Sequence, residues 1–274
     1  MTTLKNKTIL ITGASSGIGA ACAAKFAESG ARLLLCSRRI EKLNELAAQL
    51  QSKYNIEVHA FQLDVSQHIK VVEALKSLPT NWNIVDVLIN NAGLAAGLDT
   101  IQDASIQDWE EMINTNIKGL LYVTKEILPQ MLDKNSGHII NIGSVAGHYV
   151  YPKGAVYCAT KHAVNALSSG LRMDLFGTRI RVSSIDPGAV ETNFSLVRFK
   201  GDEKRAASVY EGMEPLTPED VADAVLYCAT RPQHVNVSEV IIMPTDQASA
   251  TMVSRKNQAS TFINDSLIKV DGSK

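Results

Sequence analysis

The stretch from Thr8 to Gly19, which reads TILITGASSGIG, decides the fold of this chain. Thr8 to Ile11 is a short apolar run typical of a buried strand, and Ile18 to Glu28 is a small-residue run of helical character. The turn between them places backbone N–H groups and the positive end of a helix where a pyrophosphate can bind, and its glycines permit close backbone approach. Three glycines alone could form an ordinary turn, but the strand before and the helix after favour phosphate binding. The predicted phosphate-binding residues are Gly13, Ser15, Ser16, Gly17, Ile18 and Gly19.

The same alternation of strand and helix continues along the chain. The predicted strands are Thr8 to Ile11, Arg32 to Cys36, Glu57 to Gln62, Val85 to Ile89, His138 to Ile142, Arg181 to Ile185 and Val240 to Ile242. The predicted helices are Ile18 to Glu28, Ile40 to Leu50, Val71 to Leu78, Trp109 to Leu132, Val156 to Leu175 and Glu219 to Cys228. Several strands are too uniformly apolar to have one wet face. The pattern predicts an α/β, doubly wound fold of the Rossmann type, with a seven-stranded parallel sheet covered by helices on both faces.

The length of 274 residues is compatible with one large α/β domain, which we place at 1–250. Residues 193–215 interrupt the alternation with mixed charge and small residues between a strand and a helix, as a substrate loop would. Residues 251–274 are polar and without clear period, so we expect a C-terminal tail on the surface.

Composition restricts the partners and the location of the protein. The net charge is −1, with both signs interspersed, which provides no field for collecting nucleic acid or anionic lipid. The start lacks the apolar run of a signal peptide, and no stretch reaches the roughly 18 apolar residues of a membrane span. We expect a cytoplasmic protein whose partners are small molecules or copies of itself. The four cysteines have no metal-site spacing, which predicts buried free thiols and no metal.

The end of the second predicted strand distinguishes between two dinucleotides. A carboxylate there accepts from a ribose 2′-hydroxyl, whereas basic groups accommodate a 2′-phosphate. The chain reads LLCSRR from Leu34 to Arg39, with two guanidinium groups and no carboxylate. The sequence therefore favours NADP over NAD, with Arg38 as the first candidate. The alternative, that these arginines are solvated residues at a helix start, applies more to Arg39.

Polar residues also follow three further predicted strands. Asp64 and Val65 follow the third, Asn90 to Gly93 the fourth, and Gly143 and Ser144 the fifth. All lie at the carboxyl ends of strands, which is where ligands bind in open α/β sheets. Further on, Tyr157 and Lys161 lie four residues apart on one face of a predicted helix.

These features together resemble the short-chain dehydrogenase/reductase family. The resemblance runs from about Thr8 to Pro244 and rests on the glycine turn, Asn90-Asn91-Ala92-Gly93, Asn116, Ser144, Tyr157-x-x-x-Lys161, and Pro187-Gly188 with Thr192. Within the family, Phe194 to Gly201 and Pro244 to Ser249 are similar to the NADP-dependent dehydrogenases of serine, allo-threonine and other 3-hydroxy acids. The resemblance implies an oxidoreductase acting on CH–OH donors (EC 1.1.1 type).

The resemblance also implies roles for individual residues. Asn116, Ser144, Tyr157 and Lys161 would be catalytic. The cofactor would contact Asp64 and Val65 at its adenine, Asn91, Ala92 and Gly93 along its length, and Pro187, Gly188, Val190 and Thr192 near its nicotinamide, together with Tyr157 and Lys161. Family members commonly form homotetramers through the helices equivalent to Trp109 to Leu132 and Val156 to Leu175.

The proton chemistry can be argued from the residues themselves. A tyrosine hydroxyl has a pKa near 10 in water and is a poor base at neutral pH. We expect Lys161, reinforced by the positive charge of the oxidised nicotinamide, to lower the pKa of Tyr157, so that Tyr157 takes the alcohol proton as the hydride leaves. Ser144 would hydrogen-bond the substrate oxygen, and Asn116 would hold a water linking Lys161 to solvent.

Three functions stay open at this point. The first is a dehydrogenase of small 3-hydroxy acids such as serine, allo-threonine or 3-hydroxypropionate-like compounds, whose carboxylate needs a partner. Lys153 and Arg198 are the candidates, although either could belong to a solvated face. The second is a reductase of 3-ketoacyl thioesters or other carbonyl compounds. The third is an NADP-binding sensor without turnover.

Overall fold

The computed structural model describes residues 3–256, which form seven strands and nine α-helices. The strands are β1 Thr8–Thr12, β2 Arg32–Ser37, β3 Val58–Gln62, β4 Val87–Asn90, β5 Gly137–Ile142, β6 Ile180–Pro187 and β7 Glu239–Ile242. The helices are α1 Gly17–Glu28, α2 Ile40–Tyr54, α3 His68–Lys76, α4 Ile106–Ile113, α5 Leu120–Asp133, α6 Ala155–Asp174, α7 Phe194–Arg198, α8 Glu203–Ser208 and α9 Pro218–Ala229.

The seven strands form one parallel sheet in the order β3-β2-β1-β4-β5-β6-β7. The chain order reverses between β1 and β4, the position where doubly wound sheets bind their ligands. The prediction of a doubly wound α/β fold with a seven-stranded parallel sheet is confirmed.

Two apolar layers cover the sheet. Successive side chains of a strand point to opposite faces. Ile9 and Ile11 of β1 therefore pack in one layer with Phe26 of α1 and with α9, whereas Leu10 packs in the other with Ile127 of α5. These layers hold β1 from both sides and fix the position of the turn that follows it.

Most predicted elements agree with the structure to within two residues, although α2 extends beyond its predicted end at Leu50 to Tyr54 and α3 begins at His68 rather than Val71. Two further segments differ in kind. The single helix predicted over Trp109 to Leu132 is wrong in detail, because α4 and α5 are separated by a π-helical segment, Asn114–Gly119. The substrate loop 193–215 is not wholly irregular, since it contains the short helices α7 and α8. Residues 257–274 of the predicted tail lie outside the described residues.

The first residues of the predicted tail contact the rest of the protein. Val253 bridges Gln247, and the backbone N–H of Lys256 donates to the Gly212 carbonyl at 2.8 Å. The four cysteines are free and buried, as the sequence predicts. Between residues 3 and 256, none of the helices combines the length and apolar character required to cross a membrane.

Candidate active site

A cleft of about 880 Å³ opens at the carboxyl ends of the strands, beneath the loop 193–215. This volume is within the range of cofactor and substrate sites. All the predicted cofactor-binding residues except Gly19 line the cleft, as do Ser144, Tyr157, Lys161 and Arg198. The structure therefore brings together residues that are spread over most of the sequence.

The glycine turn approaches the loop after β4 so closely that side chains are excluded. A Cβ atom added to Gly13, whose φ is +66°, would lie 2.9 Å from the Ala92 Cα. A Cβ atom on Gly19 would lie 2.5 Å from the Asn91 Nδ2. Gly19 thus contributes to the site by allowing this approach. The Thr12 hydroxyl also joins the two loops, because it accepts from the backbone N–H groups of Asn91 and Ala92 at 3.0 and 2.9 Å.

The two arginines after β2 have different contacts. The Arg39 guanidinium reaches the glycine turn, where its Nη2 donates to the hydroxyls of Ser15 and Ser16 at 3.0 and 2.6 Å. Arg38 is exposed and lies 3.6 Å from the Glu111 carboxylate. Both line the cleft. The cleft fits a dinucleotide with a 2′-phosphate. Arg38 and Arg39 supply two positive charges, and the neighbouring glycines have no side chain that would keep the backbone away from a phosphate.

Tyr157 is buried on the cleft side of α6. Its ring packs edge-on against Phe194 at 5.6 Å between centroids, and the Arg198 guanidinium carbon lies 5.2 Å from the ring centroid. Burial raises the pKa of Tyr157, while a hydrogen bond to Ser144 and the charge of Arg198 act in the opposite direction. Desolvation is the largest influence among the protein's own residues, and the lowering expected from Lys161 together with oxidised nicotinamide stays a prediction.

Lys161 is also buried, and its amine has a backbone partner at the end of β5. Its Nζ is 6.0 Å from the Tyr157 ring centroid and donates to the Ile142 carbonyl at 2.9 Å. Burial lowers the pKa of Lys161 to about 8, and the charge of Asp186 opposes this decrease.

Asn116 lies in the π-helical segment and is buried. Its Oδ1 accepts from the Leu94 N–H at 2.9 Å, and its Nδ2 donates to the Leu94 carbonyl at 2.8 Å and to the Thr160 hydroxyl at 3.0 Å. Both N–H groups of the amide therefore have protein partners. The side chain connects the loop after β4 to α6, a bracing role that sequence reasoning missed.

Ser144 joins the ends of two neighbouring strands. Its hydroxyl oxygen accepts from the Ala146 N–H at 3.1 Å, and the hydroxyl lies 3.5 Å from the Pro187 carbonyl oxygen. Ser144 thus lies two residues after the end of β5 and contacts the end of β6. This places its hydroxyl in the cleft beside Tyr157.

The two candidate carboxylate partners are placed differently. Arg198 is half-buried in the cleft, and its Nη2 donates to the Tyr151 hydroxyl at 2.5 Å. Its Nε donates to the Gly97 carbonyl at 3.3 Å. Lys153 is exposed and borders a small neighbouring pocket.

Two further residues of the site, Tyr151 and Gln247, were not predicted individually from the sequence. Tyr151 stands six positions before Tyr157, a spacing without helical meaning. Gln247 belongs to the Pro244 to Ser249 stretch, and its Oε1 accepts from the Ala189 N–H at 2.8 Å. Only the arrangement of the loops shows that both border the cleft.

Comparison with known proteins identifies the class to which this fold and site belong. The family model described as short chain dehydrogenase matches residues 7–202, and the chain belongs to this family.

Individual relatives are similar over nearly their whole lengths. The chain is 45% identical to the NADP-dependent 3-hydroxy acid dehydrogenase of Schizosaccharomyces pombe over 257 residues, which cover 93% of this chain and 99% of the relative. It is 46% identical to the protein of the same description from Escherichia coli strain K12 over 243 residues, covering 88% of this chain and 96% of the relative. A solved structure described as the closed form of serine dehydrogenase complexed with NADP⁺ has a TM-score of 0.85 and 45% identity, and covers 89% of this chain and 97% of its own.

Proposed function

We propose that this protein is an NADP-dependent dehydrogenase of small 3-hydroxy acids such as serine, allo-threonine and 3-hydroxypropionate-like compounds. The observation that carries the substrate class is the position of Arg198, a half-buried cation 5.2 Å from the Tyr157 ring centroid. The names of the relatives, NADP-dependent 3-hydroxy acid dehydrogenase and serine dehydrogenase, support the same assignment.

The chain's own residues supply the proton chemistry. Tyr157 removes the proton of the substrate hydroxyl during oxidation and returns it during reduction, while Ser144 hydrogen-bonds the same oxygen. Lys161, as an ammonium, favours the phenolate of Tyr157, and Asn116 braces the loop after β4 against α6. Bound NADP supplies the acceptor or donor of the hydride.

The residues lining the cleft would hold the cofactor at five places along its length. The glycine turn and the start of α1 face the pyrophosphate, and Arg38 and Arg39 face the 2′-phosphate. Asp64 and Val65 border the adenine. The residues after β4 line the middle of the site, and Pro187, Gly188, Val190 and Thr192 lie at the nicotinamide end.

Arg198 binds the substrate carboxylate. A guanidinium can form two parallel hydrogen bonds to a carboxylate, and these are strong in a partly desolvated site. The Tyr151 hydroxyl and the Gly97 carbonyl hold the arginine in place. A 3-hydroxy acid with its carboxylate on Arg198 would bring the carbon-bound hydroxyl towards Tyr157 and Ser144.

Replacing Arg198 with Met tests this assignment. Because charge-assisted hydrogen bonds contribute about 1.5–3 kcal/mol, we expect the KM for serine and 3-hydroxypropionate to rise by about 10- to 100-fold, with the KM for NADP unchanged. Lys153→Met is the matched control and should leave both constants unchanged, since Lys153 is exposed.

An unchanged KM in Arg198→Met would contradict the role of this arginine. Faster NADPH oxidation with 3-ketoacyl thioesters than with small 3-oxo acids, and little turnover of free hydroxy acids, would replace the proposed substrate class by the ketoacyl reductase alternative. A wild type inactive on a broad panel of alcohols would favour a sensor.

We also propose a cytoplasmic homotetramer. The four buried free thiols support a reducing compartment. Large apolar side chains on the helices that the family uses for assembly support the tetramer. Leu121 and Leu132 of α5 are 37% and 44% exposed, and Met173 of α6 is 76% exposed.

A further inference from the structure

A cluster of polar residues lies beside Lys161 but does not line the cleft. We call it the Asp186 cluster and define it as His148, Asn165, Ser184 and Asp186. Asp186 is in β6 and fully buried. Its Oδ2 lies 2.9 Å from the His148 Nε2, and its Oδ1 accepts from the Ser184 hydroxyl at 2.7 Å. The proposed reaction steps assign no role to this buried carboxylate.

The carboxylate of Asp186 packs against the segment that holds Lys161. The Ile142 carbonyl accepts from the Lys161 Nζ at 2.9 Å, and Gly143 follows directly. A Cβ atom on Gly143 would lie 1.8 Å from the Asp186 Oδ1, so only glycine permits this contact. The buried amine and the buried carboxylate therefore lie beside adjacent residues of the chain at the end of β5.

Burial acts against the charged form of Lys161. The desolvated amine has a pKa of about 8, and the charge of Asp186 is the influence that raises it. A lysine with such a pKa changes its charge within the working range of an enzyme. The state of the neighbouring carboxylate therefore affects whether Lys161 is an ammonium.

We propose that Asp186 is a positioning residue for Lys161, and that its carboxylate, held by His148 and Ser184, keeps the Lys161 amine in the charged form. Within residues 3–256, the titratable groups beside Lys161 are Tyr157 on its own helix and Asp186 on β6. The inference rests on the proposed function, in which Lys161 acts on Tyr157.

The surroundings of the Asp186 cluster are consistent with this role. His148 is the link to the surface: its side chain is 22% exposed and lies 3.8 Å from the Glu239 carboxylate of β7. Asn165 lies beside the imidazole: its Nδ2 donates to the Gly147 carbonyl at 3.3 Å and is 3.1 Å from the His148 Nε2, whose N–H points to Asp186. The side chains of His148, Asp186 and Glu239 are also close enough to share a cation. The 2.9 Å distance between His148 and Asp186 is that of a direct hydrogen bond, which needs no cation.

The pH dependence of Asp186→Asn tests the proposal. The substitution keeps the shape of the side chain and removes its charge, so the pKa of Lys161 should fall further and its ammonium should be lost at lower pH. We expect the alkaline limb of kcat/KM for hydroxy acid oxidation with NADP to move to lower pH by on the order of one unit. Glu239→Gln is the matched control and should leave the limb in place.

Two variants of His148 test the same point without changing Asp186. In His148→Leu the Asp186 Oδ2 loses its partner, and a buried carboxylate without a donor is less stable as an anion. The alkaline limb should move in the same direction as in Asp186→Asn. His148→Gln retains an N–H donor and should keep a limb close to that of the wild type. This pair decides the question even if Asp186→Asn does not fold.

A uniform loss of rate at every pH, with the alkaline limb unmoved in Asp186→Asn and in His148→Leu, would overturn the proposal and leave Asp186 a structural residue. The proposed function fails in a different way, through a wild type that does not reduce NADP with any hydroxy acid. An active wild type whose variants show unmoved limbs overturns only the role of Asp186.

Discussion

At the scale of single residues, the surroundings of Tyr157 by themselves disfavour the ionised form that the proposed base requires. Burial raises its pKa, so the phenol needs nearby positive charge before it can act as a base. Arg198 is 5.2 Å from the ring centroid and Lys161 Nζ is 6.0 Å away. If Arg198 binds the substrate carboxylate and Tyr157 is the base, as proposed, substrate binding would change the charge beside the base, because the Arg198 charge lowers the Tyr157 pKa.

Replacement of Tyr157 with Phe removes only the hydroxyl. We expect the rate of NADP reduction with 3-hydroxy acids to fall by about 10²- to 10⁴-fold, the usual contribution of a general acid–base group. NADPH binding, measured by the fluorescence of the reduced nicotinamide, should stay within about twofold of the wild type. Substantial turnover in Tyr157→Phe would contradict the assignment of the base.

The cofactor preference also depends on single residues. Arg38→Met and Arg39→Met should each raise the KM for NADP by about tenfold or more, because each removes a cation facing the 2′-phosphate. The KM for NAD should change little, and the ratio of the two constants is the measurement. Arg39 contacts Ser15 and Ser16, so a normal KM for NADP in its variant would mean that this contact is structural.

At the scale of elements, Arg255 and Lys256 join the C-terminal segment to the loop 193–215 through hydrogen bonds. The Arg255 guanidinium donates to the carbonyls of Glu211 and Val209, the latter at 3.1 Å. The loop carries Arg198, whose backbone carbonyl accepts from the Gly97 N–H at 3.0 Å. A polar C-terminal segment therefore holds the element that would bind the substrate carboxylate.

Arg255→Ala should loosen this loop. We expect a several-fold higher KM for 3-hydroxy acids, since the loop that carries Arg198 loses its two hydrogen bonds to Arg255. Limited proteolysis should cleave faster within 193–215. Lys256→Ala is the control: the contact of Lys256 with Gly212 uses its backbone N–H and survives the change. Equal cleavage of both variants would show that Arg255 does not fix the loop.

At the scale of the whole molecule, the parallel sheet brings the loops that line the cleft to one edge. The turn after β1 and the loop after β4 are neighbours because their strands pair, although 77 to 80 residues separate the hydrogen-bonded groups. The exposed apolar residues proposed for assembly lie on α5 and α6, and α6 also carries Tyr157. Assembly would therefore bring subunits together on a helix that contributes to the site.

Sedimentation equilibrium tests the proposed tetramer. We expect a particle of four times the 29.7 kDa chain mass. Met173→Glu should shift the mass to a smaller species, because a charge in a buried apolar contact carries a desolvation cost. Ile69→Glu on α3, at a side chain that is 70% exposed, is the control and should leave the mass unchanged. A wild type that sediments as a single chain would refute the tetramer.

The sequence by itself determined the features that depend on local geometry. Alternating apolar runs and helical periods predicted the parallel sheet, and the glycine turn predicted where a dinucleotide would bind. Tyr157 and Lys161 share a helix face because residues four apart on a helix are neighbours. For the same reason, their pairing could be predicted without knowledge of the rest of the chain.

The tertiary structure alone decided which distant groups meet. Arg198 contacts Gly97, which is 101 residues away, and Asp186 meets His148 across 38 residues. The direction of the Tyr157 pKa shift, the bracing contacts of Asn116 and the two different environments of Arg38 and Arg39 follow from such approaches. No spacing rule predicts them, because burial and long-range contacts result from the packing of the whole core, to which every element contributes.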